Sequence, residues 1–173
     1  MADGSETPQN TPHEVIALLR TTQQHHVHLS AMADQKAGFL IGSAVVLIGL
    51  VIGNLEDSSS LALILVGLTA LASLVFAIIA VMPRYYTSPS SDSRPNTLFF
   101  GVFSQMHEDE FIDHHLELFR DNEEVRRAML RDIHQLGSAL NAKKFRYLGY
   151  AFRVALWGMI ASFAVAVIEA VVA

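Results

Sequence analysis

The sequence predicts an all-α membrane protein, with three transmembrane helices and two of them extended into a small cytoplasmic helical head. Three observations lead there. Residues 37–53 (AGFLIGSAVVLIGLVIG) and 61–82 (LALILVGLTALASLVFAIIAVM) contain no charge. As helices they rise about 26 Å and about 33 Å, against a hydrocarbon core ~30 Å thick. A third apolar segment, 147–173, is interrupted only by Arg153 and Glu169. Finally, Lys36, Arg84, Lys143, Lys144 and Arg146 gather on one side of these segments, while the bridge 54–60 holds no Lys or Arg. By the positive-inside rule the N-terminus and the middle segment are cytoplasmic, and the bridge and C-terminus face outward. In a bacterium that describes a multi-pass protein of the inner (cell) membrane.

Composition supports the class. The chain has 173 residues, 51% of them hydrophobic, and no cysteine. Its mean hydropathy of +0.34 comes from local runs with polar segments between them, which suits a membrane protein better than a soluble core. Without cysteine there are no disulfides and no thiolate metal sites. A net charge of −5 argues against a nucleic-acid partner. The first apolar run begins only at residue 37, after acidic residues and several histidines, so a secretory signal peptide is not expected.

In chain order, residues 1–11 read as a disordered tail. Thr11-Pro12-His13-Glu14 is a helix start, with Thr11 and Glu14 able to exchange capping bonds and Pro12 suited to the first turn. One helix is expected from Pro12 to about Asn54. Its cytoplasmic part, 12–36, would project roughly 37 Å, and the first span is 37–55. Gly38, Gly42, Gly49 and Gly53 fall within about 60° of one another on this helix. The two GxxxG pairs therefore share a face that would let helices approach closely in lipid. That face is assigned to oligomerisation, against packing inside the subunit. Ala70, Ser73, Ala77 and Ala80 of the second span offer an alternative small-residue face. The external loop is 56–60, with Ser58, Ser59 or Ser60 capping the second span, 61–82.

Pro83 ends or bends that span, and Tyr85 and Tyr86 suit an interfacial belt. A cytoplasmic helical segment, 83–146, follows. It begins with a loop at 87–95. The apolar cluster 96–103 is too short to span and needs a partner surface. Residues 107–120 suit a short acidic helix with Phe111, His115 and Leu118 on its inner face. Asp121-x-x-Glu124 is a capping pair. Val125, Met129, Ile133, Leu136 and Leu140 then recur at helical spacing. No proline interrupts the run from there into the third span, 147–172.

Catalytic motifs are missing: there is no nucleophile elbow, phosphate-binding glycine loop, dinucleotide fingerprint or HExxH. No catalytic residue, cofactor or metal is assigned. His25, His26, His28, His114 and His115 lack a third ligand at metal spacing and read as solvated or interface residues. The acidic run 107–113 reads as a solvated helix face. Lys36, Arg153 and Glu169 are the membrane charges. About 22 Å of helix separates Arg153 from Glu169, less than the ~30 Å core. Snorkelling of at least one charge is the expectation, and lining a wet path the alternative.

Several strings carry a resemblance: 33–42 (ADQKAGFLIG), 95–104 (PNTLFFGVFS), 132–137 (DIHQLG) and 143–147 (KKFRY). In this order and spacing the chain resembles the transmembrane effector proteins of the Pycsar antiphage systems. The resemblance implies a pyrimidine cyclase as genetic partner and a cyclic pyrimidine nucleotide, cyclic CMP or cyclic UMP, as the signal. It also implies a lipid bilayer as the target, whose impairment ends in abortive infection. No separate nucleotide-binding barrel fits in the chain, so a ligand site has to come from the helical head. Arg94, Asn96, Phe99, Phe100, Lys143 and Lys144 have the chemistry for it: cations for the phosphate, rings for the base and an amide for its edge. A small scaffold or receptor subunit recruiting a cytoplasmic partner is the alternative function, and a constitutive channel a third.

Overall fold

The computed structural model describes residues 12–55, 60–82 and 96–172. The expected N-terminal tail, Thr11, residues 56–59 with Ser58 and Ser59, Tyr85, Tyr86, the loop 87–95 and Arg94 lie outside the described residues. Among the described residues six α-helices follow in order: α1 (Pro12–Asn54), α2 (Leu61–Val81), α3 (Phe100–Phe103), α4 (Glu108–Leu118), α5 (Asn122–Ala139) and α6 (Arg146–Val172). A π-helical stretch, Leu140–Phe145, joins α5 to α6 without a break. There is no strand among the described residues. Three helices among the described residues are long and apolar enough to cross a membrane, so this is an all-α membrane protein.

The chain divides into two compact units, residues 1–28 with 84–138 and residues 29–83 with 139–173. In the first unit, α4 opens after His107 with Glu108, Asp109 and Glu110 in its first turn, where the helix dipole favours negative charge. The inner face expected for α4 is the one half-buried, with Phe111, His115 and Leu118 turned inward. The Phe103 ring of α3 meets Phe111 with centroids 5.4 Å apart, so the short apolar cluster has found its partner surface in α4. Asp121 Oδ1 accepts a hydrogen bond from the Glu123 amide at 2.7 Å and so caps α5.

The second unit is built on small residues. α1 turns Ala33, Ala37, Ala44 and Val51 inward. α2 turns in Ala62, Thr69, Ala70, Ser73, Ala77 and Ala80, and α6 turns in Leu148, Ala151 and Ser162. Lipid gives no hydrophobic drive to pair helices, so close backbone approach and dispersion do that work. Where approach is closest, a Cβ on Gly158 would run into Thr69, and one on Gly67 would sit 3.1 Å from Val51 Cγ1, a tight contact that the valine would have to yield to. Ala33, Ala37, Ala80 and Leu148 form the core cluster, with Val81 and Tyr147 packed on it. Leu140, Lys144 and Leu148 recur every fourth residue, which outruns an α-helix at 3.6. The π-helical stretch takes up the surplus residue.

Candidate functional site

In the first unit the polar residues converge on Asp132, which sits on the otherwise apolar stripe of α5. Its Oδ2 accepts from Gln23 Nε2 at 2.7 Å. Its Oδ1 accepts from Asn96 Nδ2 at 2.8 Å. Asn96 is buried, and its Oδ1 accepts from the Leu98 amide at 3.1 Å, an Asx-type bond that shapes the turn into α3. The carboxylate thus fixes the turn that presents the two rings. Phe99 is half-buried and Phe100 exposed, with centroids 4.9 Å apart. Gly101 is buried behind them, and a Cβ there would lie 2.6 Å from the Phe99 ring.

Histidines complete this unit. His26 lies against Gly137, its Nε2 3.2 Å from where a Cβ would stand, and its Nδ1 is buried without a hydrogen-bond partner among the described residues. His115 Nδ1 is 2.8 Å from the Phe111 carbonyl; a carbonyl only accepts, so this nitrogen carries the proton. His114 Nε2 is 3.1 Å from Thr97 Oγ1. No group of three potential metal ligands occurs among the described residues.

In the second unit, Lys144 Nζ pairs with Asp34 Oδ1 at 2.7 Å and donates to Ser30 Oγ at 2.8 Å. Lys143 is exposed. Lys36 and Arg153 are exposed as well. Glu169 is tied to the start of α2. Its Oε2 accepts from Ser60 Oγ at 2.6 Å and its Oε1 from the Leu61 amide at 2.7 Å, while Ser60 Oγ accepts from the Leu63 amide. Gly38, Gly42, Gly49 and Gly53 are all exposed, and a Cβ on any of them would meet nothing within 4 Å. Among the described residues nothing in the subunit packs on the glycine stripe. The alternative face of Ala70, Ser73, Ala77 and Ala80 is buried inside the subunit.

Of the six residues with ligand chemistry, Asn96, Phe99 and Phe100 belong to the first unit and come together there, Lys143 and Lys144 belong to the second, and Arg94 is outside the described residues. The sequence reading missed Gln23, Asp132 and Asp34 as partners. A signal existed for Asp132: it lies one heptad after Val125, so a carboxylate interrupts the apolar face of α5 and calls for donors.

The strings that carry the resemblance thus meet in pairs, Asn96 with Asp132 and Asp34 with Lys144. No curated protein and no solved structure matches the chain at a significant level. The family model of the Pycsar effector protein domain matches residues 17–171. That span takes in α2 to α5 whole, nearly all of α6 and most of α1, so the chain belongs to the Pycsar effector family, the membrane-spanning effector and not the cyclase of the system.

Proposed function

We propose that this protein is the non-enzymatic end of an antiphage circuit: it senses cyclic CMP or cyclic UMP made by a partner cyclase and impairs the inner membrane, causing abortive infection. The observation that carries the reading is the effector-family match over residues 17–171 on a chain with three apolar helices. Asn96, Phe99 and Phe100 are proposed as ligand contacts in the first unit, where the exposed Phe100 ring offers a stacking face for a pyrimidine, and Arg94 is proposed as a further contact on its chemistry alone. Lys143 and Lys144 are separate candidates in the second unit. The subunits assemble through Gly38, Gly42, Gly49 and Gly53, since three membrane helices alone do not surround a water-filled path of useful width. The exposed glycine face favours this reading over intrasubunit packing. The unit holding α4 and α5 lies in the cytoplasm.

Purified protein in dye-loaded liposomes tests the proposal. Leakage should appear on adding cyclic CMP or cyclic UMP and not with cyclic AMP. Leakage without any ligand would favour a constitutive channel. Silence with every nucleotide would favour a scaffold that recruits a partner, for which exposed Ile112, Leu116 and Phe119, beside the acidic residues of α4, are the available surface.

A further inference from the structure

The second unit carries a groove that the reading above does not use. It has a volume of about 550 Å³ and is lined by Leu29, Met32, Lys36, Phe145, Leu148 and Phe152, with Gly149 among them. Every side chain there but one is apolar. The exception, Lys36, is exposed and has no ion pair among the described residues, because Asp34, the nearest carboxylate in sequence, is held by Lys144. Lys36 is also the last charge before the uncharged run 37–53, so the groove lies where hydrocarbon gives way to headgroups.

Those features select among ligands. A nucleotide needs donors and acceptors for its ribose and base edge, and among the described residues the ammonium is the only polar side-chain group lining the groove. A small inorganic anion has no use for apolar walls. An anionic lipid uses both, since an acyl chain lies along Leu29, Met32, Leu148 and Phe152 and the phosphate meets an unneutralised cation at the interface. We infer that this groove is a binding site for one anionic glycerophospholipid, with its phosphate on the Lys36 ammonium and an acyl chain against α1 and α6. The inference rests on the membrane spans and not on nucleotide sensing.

Native mass spectrometry of the full chain, released from micelles doped with equal amounts of phosphatidylglycerol and phosphatidylcholine, tests it. One phosphatidylglycerol per subunit should be retained in preference to phosphatidylcholine. Lys36→Gln should cut that preference roughly fivefold, as expected for one cation near an anionic surface, and Lys36→Arg should keep it. Gly149→Leu, whose Cβ meets nothing within 4 Å, should fill the groove and lower retention of both lipids. Circular dichroism confirms that each variant remains helical. Equal retention of the two lipids by the parent, or an unchanged preference in helical Lys36→Gln, overturns the inference. So does displacement of the lipid by cyclic CMP or cyclic UMP, which would make the groove a nucleotide site. Cross-linking of Phe145→Cys between subunits in place of lipid retention would assign the groove to a second copy and overturn it too.

Discussion

Glu169, near the end of α6, caps the first turn of α2 through Ser60: one carboxylate oxygen takes the Ser60 hydroxyl at 2.6 Å and the other the Leu61 amide at 2.7 Å. The carboxylate therefore answers helix-end amides that would otherwise face lipid or headgroups unpaired. Glu169→Ala should lower the unfolding temperature in detergent, as the loss of a helix cap does. Glu169→Gln, which keeps an acceptor, should lose less. Thermal unfolding followed by circular dichroism measures both, and equal stability of Glu169→Ala and parent would deny the cap its role.

A second prediction concerns Asp132. Removing this carboxylate strands the buried Asn96 amide, at a cost of about 1–3 kcal/mol for an unsatisfied polar group. Asp132→Ala should therefore speed amide exchange through residues 96–103, while Asp132→Asn, with one acceptor left, should fall between. Hydrogen-exchange mass spectrometry reads this directly. Unaltered protection at the turn would mean that Gln23 and Asn96 hold it without the carboxylate.

The glycines should divide into two groups. Gly158→Leu forces a side chain into Thr69 and should destabilise the α2–α6 pair, overpacking costing about 1–3 kcal/mol or more. Gly42→Leu/Gly49→Leu points into open space and should fold, insert and bind nucleotide like the parent. It should nonetheless fail to cross-link into oligomers or to leak dye. If the double variant assembles and leaks normally, the glycine face is a lipid-facing surface and the subunit contact lies elsewhere.

Lys143 and Lys144 should separate when mutated singly. Lys144→Ala breaks the pair with Asp34, a half-exposed carboxylate, and should cost about 1 kcal/mol or less. Lys143→Ala should leave stability unchanged. Calorimetry with cyclic CMP and cyclic UMP then shows whether either cation contacts the ligand. Weakened binding in Lys143→Ala, or in Arg94→Ala, supports the proposed contacts, and full affinity in both removes these cations from the site.

Orientation is tested by labelling. With Ser5 inside and Ser59 outside, an impermeant maleimide added to intact spheroplasts should mark Ser59→Cys and spare Ser5→Cys. The reverse pattern would place α4 and α5 outside and end the proposal of cytoplasmic sensing.

The helices were legible because their signals are local. Charge-free runs marked the spans, and the spacing of Val125, Met129, Ile133 and Leu136 marked α5. Proline and the acidic residues marked the helix starts. The partners of the polar groups were not legible, because nothing near Asp132 in sequence names Gln23 and nothing near Glu169 names Ser60. The same gap explains Lys144. It read as a spare cation for a phosphate, yet its ammonium meets Asp34, which lies on a different helix. Small residues were legible in part. The glycines stood out as a face for contact between subunits, whereas the residues α1 turns inward, Ala33, Ala37 and Ala44, carried no signal of their own in an apolar run.

The Ser73 hydroxyl, buried in α2, donates to the Ala151 carbonyl of α6 at 3.1 Å. Together with Ser60 and Glu169 it sets two fixed marks along that antiparallel pair, one midway and one at the end. Sliding α2 along α6 by a turn would strand a hydroxyl in hydrocarbon and uncouple the end mark at once, so the pair behaves as a keyed joint. The apolar part of α1 has no such key: Ser43 donates to the Phe39 carbonyl and Asn54 to the Leu50 carbonyl, both within the helix itself. Among the described residues, α1 beyond Ala37 therefore meets its neighbours through dispersion contacts alone, and its axial register is set at one end only, by Lys144 on Asp34 and Ser30.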